Sequence, residues 1–147
     1  MAKINVKNKG NGFERDAVKL LNNLIPDSTW RRVAGSGAIG TIASEPLLCG
    51  DITGEIEGFP RKFRVEAKVG YGGAKQFGLK KEWLDKIAME AYNTMSMPFL
   101  IGKFSGAREG TRVFAVLDID TFADLLTQIT RLQKELREVE HAKLERD

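Results

Sequence analysis

Between Phe63 and Val69 apolar and charged residues alternate without a break, in the order Phe-Arg-Val-Glu-Ala-Lys-Val. Successive side chains of a strand point to opposite faces. A strand over Lys62 to Val69 therefore sets Phe63, Val65, Ala67 and Val69 on one face and Arg64, Glu66 and Lys68 on the other. Asp51 to Ile56 forms a second strand upstream, and Glu57 to Arg61, with Gly58 and Pro60, turns the chain between them. The two strands are expected to pair as a hairpin. Asp51 precedes Glu66 by fifteen residues, so a turn near Gly58 brings it beside Glu66 or Lys68.

The remaining elements follow from spacing. Asn11 is placed to cap a helix over residues 12–25, in which Phe13, Ala17, Leu20, Leu21 and Leu24 recur at threes and fours until Pro26 ends it. Trp30 to Val33 is a short strand, and the glycines from Gly35 open a loop that runs to about Gly50. Trp83, Leu84, Ile87, Ala88 and Ala91 mark a second helix over Lys80 to Asn93. Two further strands, Phe99 to Phe104 and Arg112 to Leu117, precede a long helix from about Asp120 to the end. This order is an α/β one, a mixed sheet with helices on its faces. The polar, Lys- and Asn-rich residues 1–10 read as a flexible basic arm.

The juxtaposed acids carry the chemistry. Two carboxylates meeting at Asp51 and Glu66 repel each other unless a cation lies between them. Oxygen ligands with no His or Cys beside them suit Mg²⁺, with Mn²⁺ able to substitute, rather than zinc. Glu14, next to the apolar stripe of the first helix, can reach the same place as a further metal ligand, and Lys68 stands at its edge. Carboxylate-held metal with a lysine suits phosphodiester hydrolysis, which needs an activated water and relief of charge on the phosphate. An acid and a lysine two apart on a strand more often form a solvated face. Here the combination with Asp51 and Glu14 favours a site.

Gly50-Asp51 followed by Glu66-Ala67-Lys68, with a Glu on a preceding helix, resembles the PD-(D/E)XK nuclease superfamily. Lys9-Gly10 through Phe13-Glu14-Arg15, then Arg32-Val33-Ala34-Gly35-Ser36-Gly37, more narrowly resembles the archaeal-type Holliday junction resolvases. The resemblance implies a restriction-endonuclease-like mixed central β-sheet flanked by α-helices, with the nuclease domain over residues 11–118. It implies Glu14, Asp51, Glu66 and Lys68 as catalytic residues, with Ser36, Arg15 and Arg32 as motif positions, Ser36 serving both catalysis and phosphate. It also implies Mg²⁺ and a homodimer whose paired sites nick a four-way DNA junction. Two departures are visible: Gly50 stands where the superfamily name implies Pro, and Trp83 stands where relatives often carry Gln.

Charge agrees with a nucleic-acid partner. Residues 1–81 hold 14 basic and 8 acidic side chains, whereas residues 82–147 hold 9 and 12. Clustered cations attract phosphate and release its counterions. Lys7, Lys9, Arg15, Arg31, Arg32 and Lys75 are the candidate DNA contacts, with Ser36 in a loop that lets a backbone approach. Gly35 to Gly40 also fits the G-x-G-x-x-G pattern, but Thr41 to Pro46 is a poor helix start, so no nucleotide cofactor is expected. The apolar stretches are too short to span a membrane, and the single Cys49 fits a reducing compartment, so a cytoplasmic location is expected. In residues 119–147, Leu125, Ile129, Leu132, Leu136 and Val139 form a heptad stripe suited to supporting a homodimer. The alternatives are a restriction-like or repair nuclease on duplex, flap or single-strand DNA, and a module that binds branched DNA without cutting it.

Overall fold

The computed structural model describes residues 6–33, 51–70, 75–105 and 112–147. In chain order these form α1 (Val6–Leu24), β1 (Ser28–Arg32), β2 (Ile52–Ile56), β3 (Phe63–Val69), α2 (Lys81–Asn93), β4 (Met97–Lys103), β5 (Val113–Val116) and α3 (Ile119–Arg146). Met1–Val116 and Leu117–Asp147 are separate units.

The first unit is built on a five-stranded sheet in the order β1-β2-β3-β4-β5. The expected hairpin is present: β2 and β3 pair antiparallel with Ile52 opposite Val65 and Gly54 opposite Phe63. Gly58 turns it at φ 81°, a left-handed conformation in which a side chain would be strained. β3 and β4 run parallel, joined through α2, and the pairs β1–β2 and β4–β5 are antiparallel. The sheet is therefore mixed, as the element order implies.

β3 lies at the centre of the sheet, so both its faces are covered, and Arg64 and Glu66 of the charged row are buried along with Phe63 and Val65, while Ala67 to Val69 are part-buried. Arg32 stands in line with Ile52 and Val65 across the ladder and meets Glu14 of α1. Glu66, on the opposite face, meets Lys86 of α2. The two helices thus cover opposite faces of the sheet. Each does so with a four-residue spacing, Phe13, Ala17 and Leu21 on α1 and Trp83, Ile87 and Ala91 on α2, all buried. Each large apolar side chain so buried contributes roughly 1.5–3 kcal/mol. Trp30, Phe63 and Phe99 form a ring cluster with centroids 5.5–6.0 Å apart. Gly54 is required beneath it, because a Cβ there would run into the Trp30 ring. Asn22 ties α1 to β1 by accepting the Trp30 N–H at 2.9 Å and donating to the Trp30 carbonyl at 3.0 Å.

The first helix differs from expectation at its start. It begins at Val6, so residues 6–10 of the expected arm are helical, while residues 1–5 lie outside the described residues. Asn11 has capping chemistry, and Gly10 and Gly12 each disfavour a helix interior by about 1 kcal/mol relative to alanine. Such signals permit a helix start without forcing one. Glu14 consequently lies more than two turns in, and the first turn holds no acidic residue. The boundaries of the other described helices and strands fall within about two residues of expectation, while the expected loop from Gly35 to about Gly50 lies outside the described residues.

α3 spans 28 residues, about 42 Å at 1.5 Å per residue. Asp118 caps it by accepting the Thr121 N–H at 2.7 Å. Asp120 in its first turn and Lys143 and Arg146 in its last oppose the helix dipole. Ile129, Leu132, Leu136 and Val139 of the heptad stripe are about half exposed. No helix among the described residues is long and apolar enough to cross a membrane.

Candidate active site

Hairpin register builds the site. Asp51 precedes β2 and continues its ladder, with its N–H donating to the Val65 carbonyl at 3.1 Å and its own carbonyl accepting from Val33 at 2.9 Å. With Ile52 opposite Val65, Asp51 stands just past the end of this pairing, near enough to Glu66 for its charge to act on that carboxyl. Its Oδ2 accepts the Ala67 N–H at 2.9 Å.

Glu66 lies under α2 with its side chain only 1% exposed, which rules out the solvated-face reading of the Glu66–Lys68 pair. Lys68 Nζ approaches Glu66 Oε1 at 3.0 Å, and Lys86 Nζ approaches Oε2 at 3.5 Å. Oε2 has no hydrogen-bond partner among the described residues. Burial holds the Glu66 carboxyl above its ordinary range, the Asp51 charge pushes it further the same way, and the two lysines oppose the rise. Lys68 also stands 5.2 Å from the centre of the buried Trp83 ring, with Lys80 at 5.6 Å from that ring.

Glu14 reaches the site from α1, and Arg32 clasps its Oε2 through Nη2 at 3.0 Å and Nε at 3.1 Å. Burial and then Asp51 raise the Glu14 pKa, while Arg32 and Lys68 lower it. Both glutamates thus feel Asp51. Glu14, Asp51 and the Glu66–Lys68 pair, drawn from three separate parts of the chain, form one electrostatic cluster.

Among the described residues no three His, Cys, Asp or Glu side chains stand close enough together to form a ready-made metal-holding group. The carboxylates turn instead to Arg32, the Ala67 amide and the two lysines. The donor set still fits a hard divalent cation. It is all oxygen, one oxygen of a nearly inaccessible carboxylate lacks a hydrogen bond among the described residues, and the Asp51 charge raises the pKa of Glu14 and Glu66, which a cation would reverse.

Of the candidate DNA contacts, Arg15 on α1, Arg31 on β1 and Lys75 before α2 are exposed. Arg32, expected at phosphate, is engaged with Glu14. Lys7 and Lys9 fall in the first turns of α1, though their side chains lie outside what the structure describes, and Ser36 and Cys49 lie outside the described residues. Two residues at the centre escaped the sequence reading. Lys86 pairs with Glu66, and Glu90, one turn on along α2, stands 3.9 Å from Lys86. Burial raises the Glu90 pKa. The available signal is that both flank the Trp83, Ile87, Ala91 stripe, but it points to Glu66 only once α2 is known to cover that face.

A cleft of about 490 Å³ lined by Asp27, Glu55, Phe59 and Arg61 among others lies at the hairpin turn, the opposite end of β2 from Asp51. It is remote from this chemistry.

A family model described as "Phage putative PDDEXK endonuclease" matches residues 5–146, and the chain belongs to this family of PD-(D/E)XK nucleases. Among solved structures, the chain is similar to a Holliday junction resolvase from the archaeal hyperthermophile Archaeoglobus fulgidus. The two share 20% identity with a TM-score of 0.48, over 70% of this chain and 72% of that one. A comparison with curated proteins found no match.

Proposed function

We propose that this nuclease is a Mg²⁺-dependent endonuclease that resolves four-way DNA junctions by paired phosphodiester hydrolysis as a homodimer. The observation that carries the nuclease chemistry is that the Asp51 carboxylate, held on the Ala67 amide, acts on the neighbouring buried Glu66, beside the Lys68 ammonium 3.0 Å from Glu66. The sequence motifs running from Lys9 to Arg15 and from Arg32 to Gly37 favour the junction as substrate.

Asp51 and Glu66, with Glu14, would hold the cation, which when bound supplies Lewis acidity toward the phosphate and a water nucleophilic at neutral pH. Lys68 holds the attacking water or steadies the growing negative charge, and its contacts with Glu66 and the Trp83 face fix its direction. The Ala67 amide orients Asp51, and Arg32 orients Glu14. Arg15, Arg31 and Lys75, with Lys7, Lys9 and Ser36, contact phosphates and set the register of the DNA. Residues 11–118 serve as the nuclease domain, residues 1–10 as a DNA-contacting arm, and residues 119–147 as the dimer support. Two cuts are needed to resolve a junction, which a dimer supplies.

The test compares cleavage of a four-way junction with linear duplex of the same sequence, in Mg²⁺ and in EDTA. Faster, Mg²⁺-dependent junction cutting is expected. Equal rates on both substrates point to a restriction-like or repair nuclease, and junction binding without cutting points to a binding module.

A further inference from the structure

Glu66 contacts two lysines that are not equivalent. Lys68 lies on its own strand, 3.0 Å from Oε1, its side chain 30% exposed and its ammonium set over Trp83. Lys86 reaches across from α2 at 3.5 Å to Oε2, the oxygen with no hydrogen-bond partner among the described residues, and its side chain is 48% exposed. Lys86 also has a second acid within reach, Glu90 Oε1 at 3.9 Å on the next turn of its own helix. It can therefore leave Oε2 for solvent or Glu90 without becoming an unpaired buried charge, whereas Lys68 is the more buried of the two and the closer to Glu66.

A buried carboxylate beside a second acid needs compensating charge whether or not metal is bound. We infer that Lys86 is an exchangeable counter-ion: it neutralises Glu66 in the metal-free protein, withdraws toward Glu90 when a divalent cation takes Oε2, and so sets the affinity for that cation. The inference rests on the proposed role of Asp51 and Glu66 in holding metal. Lys86 is here a positioning residue, competing for the site rather than acting on substrate.

The probe is Mn²⁺ alone, titrated into the full chain and followed by electron paramagnetic resonance, with no DNA present. Wild type is expected to bind Mn²⁺ in a manner that Asp51→Asn weakens. Lys86→Met removes both the competitor and its repulsion, so Mn²⁺ should bind about tenfold tighter, given the strength of a charge contact at a partly buried site. Its melting temperature should fall below that of wild type without metal and rise further than wild type on adding Mn²⁺. Lys86→Gln keeps an N–H for Glu66 and protects the fold, and should shift affinity in the same direction. Lys81→Met, which removes an exposed cation paired with Asp85 on the same helix, should leave affinity within about twofold. Asp51-dependent binding that is unchanged or weaker in both Lys86 variants overturns this inference alone. Absence of Asp51-dependent binding in wild type overturns the metal reading and this inference with it.

Discussion

Asp51 and Ala67 are joined by one hydrogen bond, in which the Ala67 N–H donates to Asp51 Oδ2 at 2.9 Å. That amide lies between Glu66 and Lys68, and the last described β2–β3 pair is Ile52 with Val65, so the carboxylate takes the place of a strand partner. The same bond that extends the end of the β2–β3 ladder aims Asp51 at the charged row of β3.

Replacing Asp51 with Asn keeps an oxygen that can accept from Ala67 while removing the charge. Mg²⁺-dependent cutting should fall at least about 100-fold, the scale for losing one electrostatic contributor at an active site. Junction affinity should change little. Lys68→Ala should give the same loss of cutting with binding retained. Gel-shift and cleavage assays on one junction check both, and loss of binding with cutting would assign these residues a structural role.

The raised pKa values of Glu14, Glu66 and Glu90 make a signed statement about pH. All three lie above the ordinary value of 4.5 in the folded chain, so the fold binds more protons than the unfolded chain just above that pH. Their contribution to stability should therefore decline as pH rises from 4.5 through the folded values, in metal-free buffer. Asp51→Asn should lessen that decline, because Asp51 raises all three. Lys86 acts at the other end. Burial lowers its pKa, but Glu66, Glu90 and Asp51 together lift it above 10.5, so its contribution persists until pH passes the raised value. Urea unfolding from pH 5 to 8, wild type against Asp51→Asn, tests the carboxylate part.

Gly54→Ala should destabilise the protein by about 1–3 kcal/mol, the range for forcing extra volume into a filled core. The Trp30 ring occupies the space that the methyl group needs. Urea denaturation measures it, and a change under 0.5 kcal/mol would mean that the Trp30, Phe63, Phe99 cluster yields easily.

The stripe of α3 should support the dimer. Leu132→Glu combined with Leu136→Glu places charge on two adjacent, half-exposed stripe positions. Light scattering is expected to give a dimer mass for wild type and the monomer mass for this variant, and likewise for truncation after Phe122. A dimer that survives both changes assigns the interface elsewhere.

DNA affinity should fall with salt, with a log-log slope of about −0.9 per duplex phosphate contacted. Arg15→Ala and Arg31→Ala should each reduce the slope by about one if these exposed arginines touch phosphate. An unchanged slope removes the residue from the contact set.

What could be read from the sequence follows the range of the forces involved. Alternation from Phe63 to Val69, the Gly58 turn and the spacing from Asp51 to Glu66 are local, and a hairpin converts them into register without help from the rest of the chain. For the same reason the Trp83, Ile87, Ala91 stripe yields α2 nearly to the residue. The start of α1 was less legible, since helix signals near Asn11 compete within about 1 kcal/mol. Only the tertiary structure decided that Glu66 is buried, that Arg32 is committed to Glu14, and that Lys86 rather than another cation closes over Oε2. These depend on which helix covers which face of the central strand. That choice is made by long-range burial, which no spacing within a single element encodes.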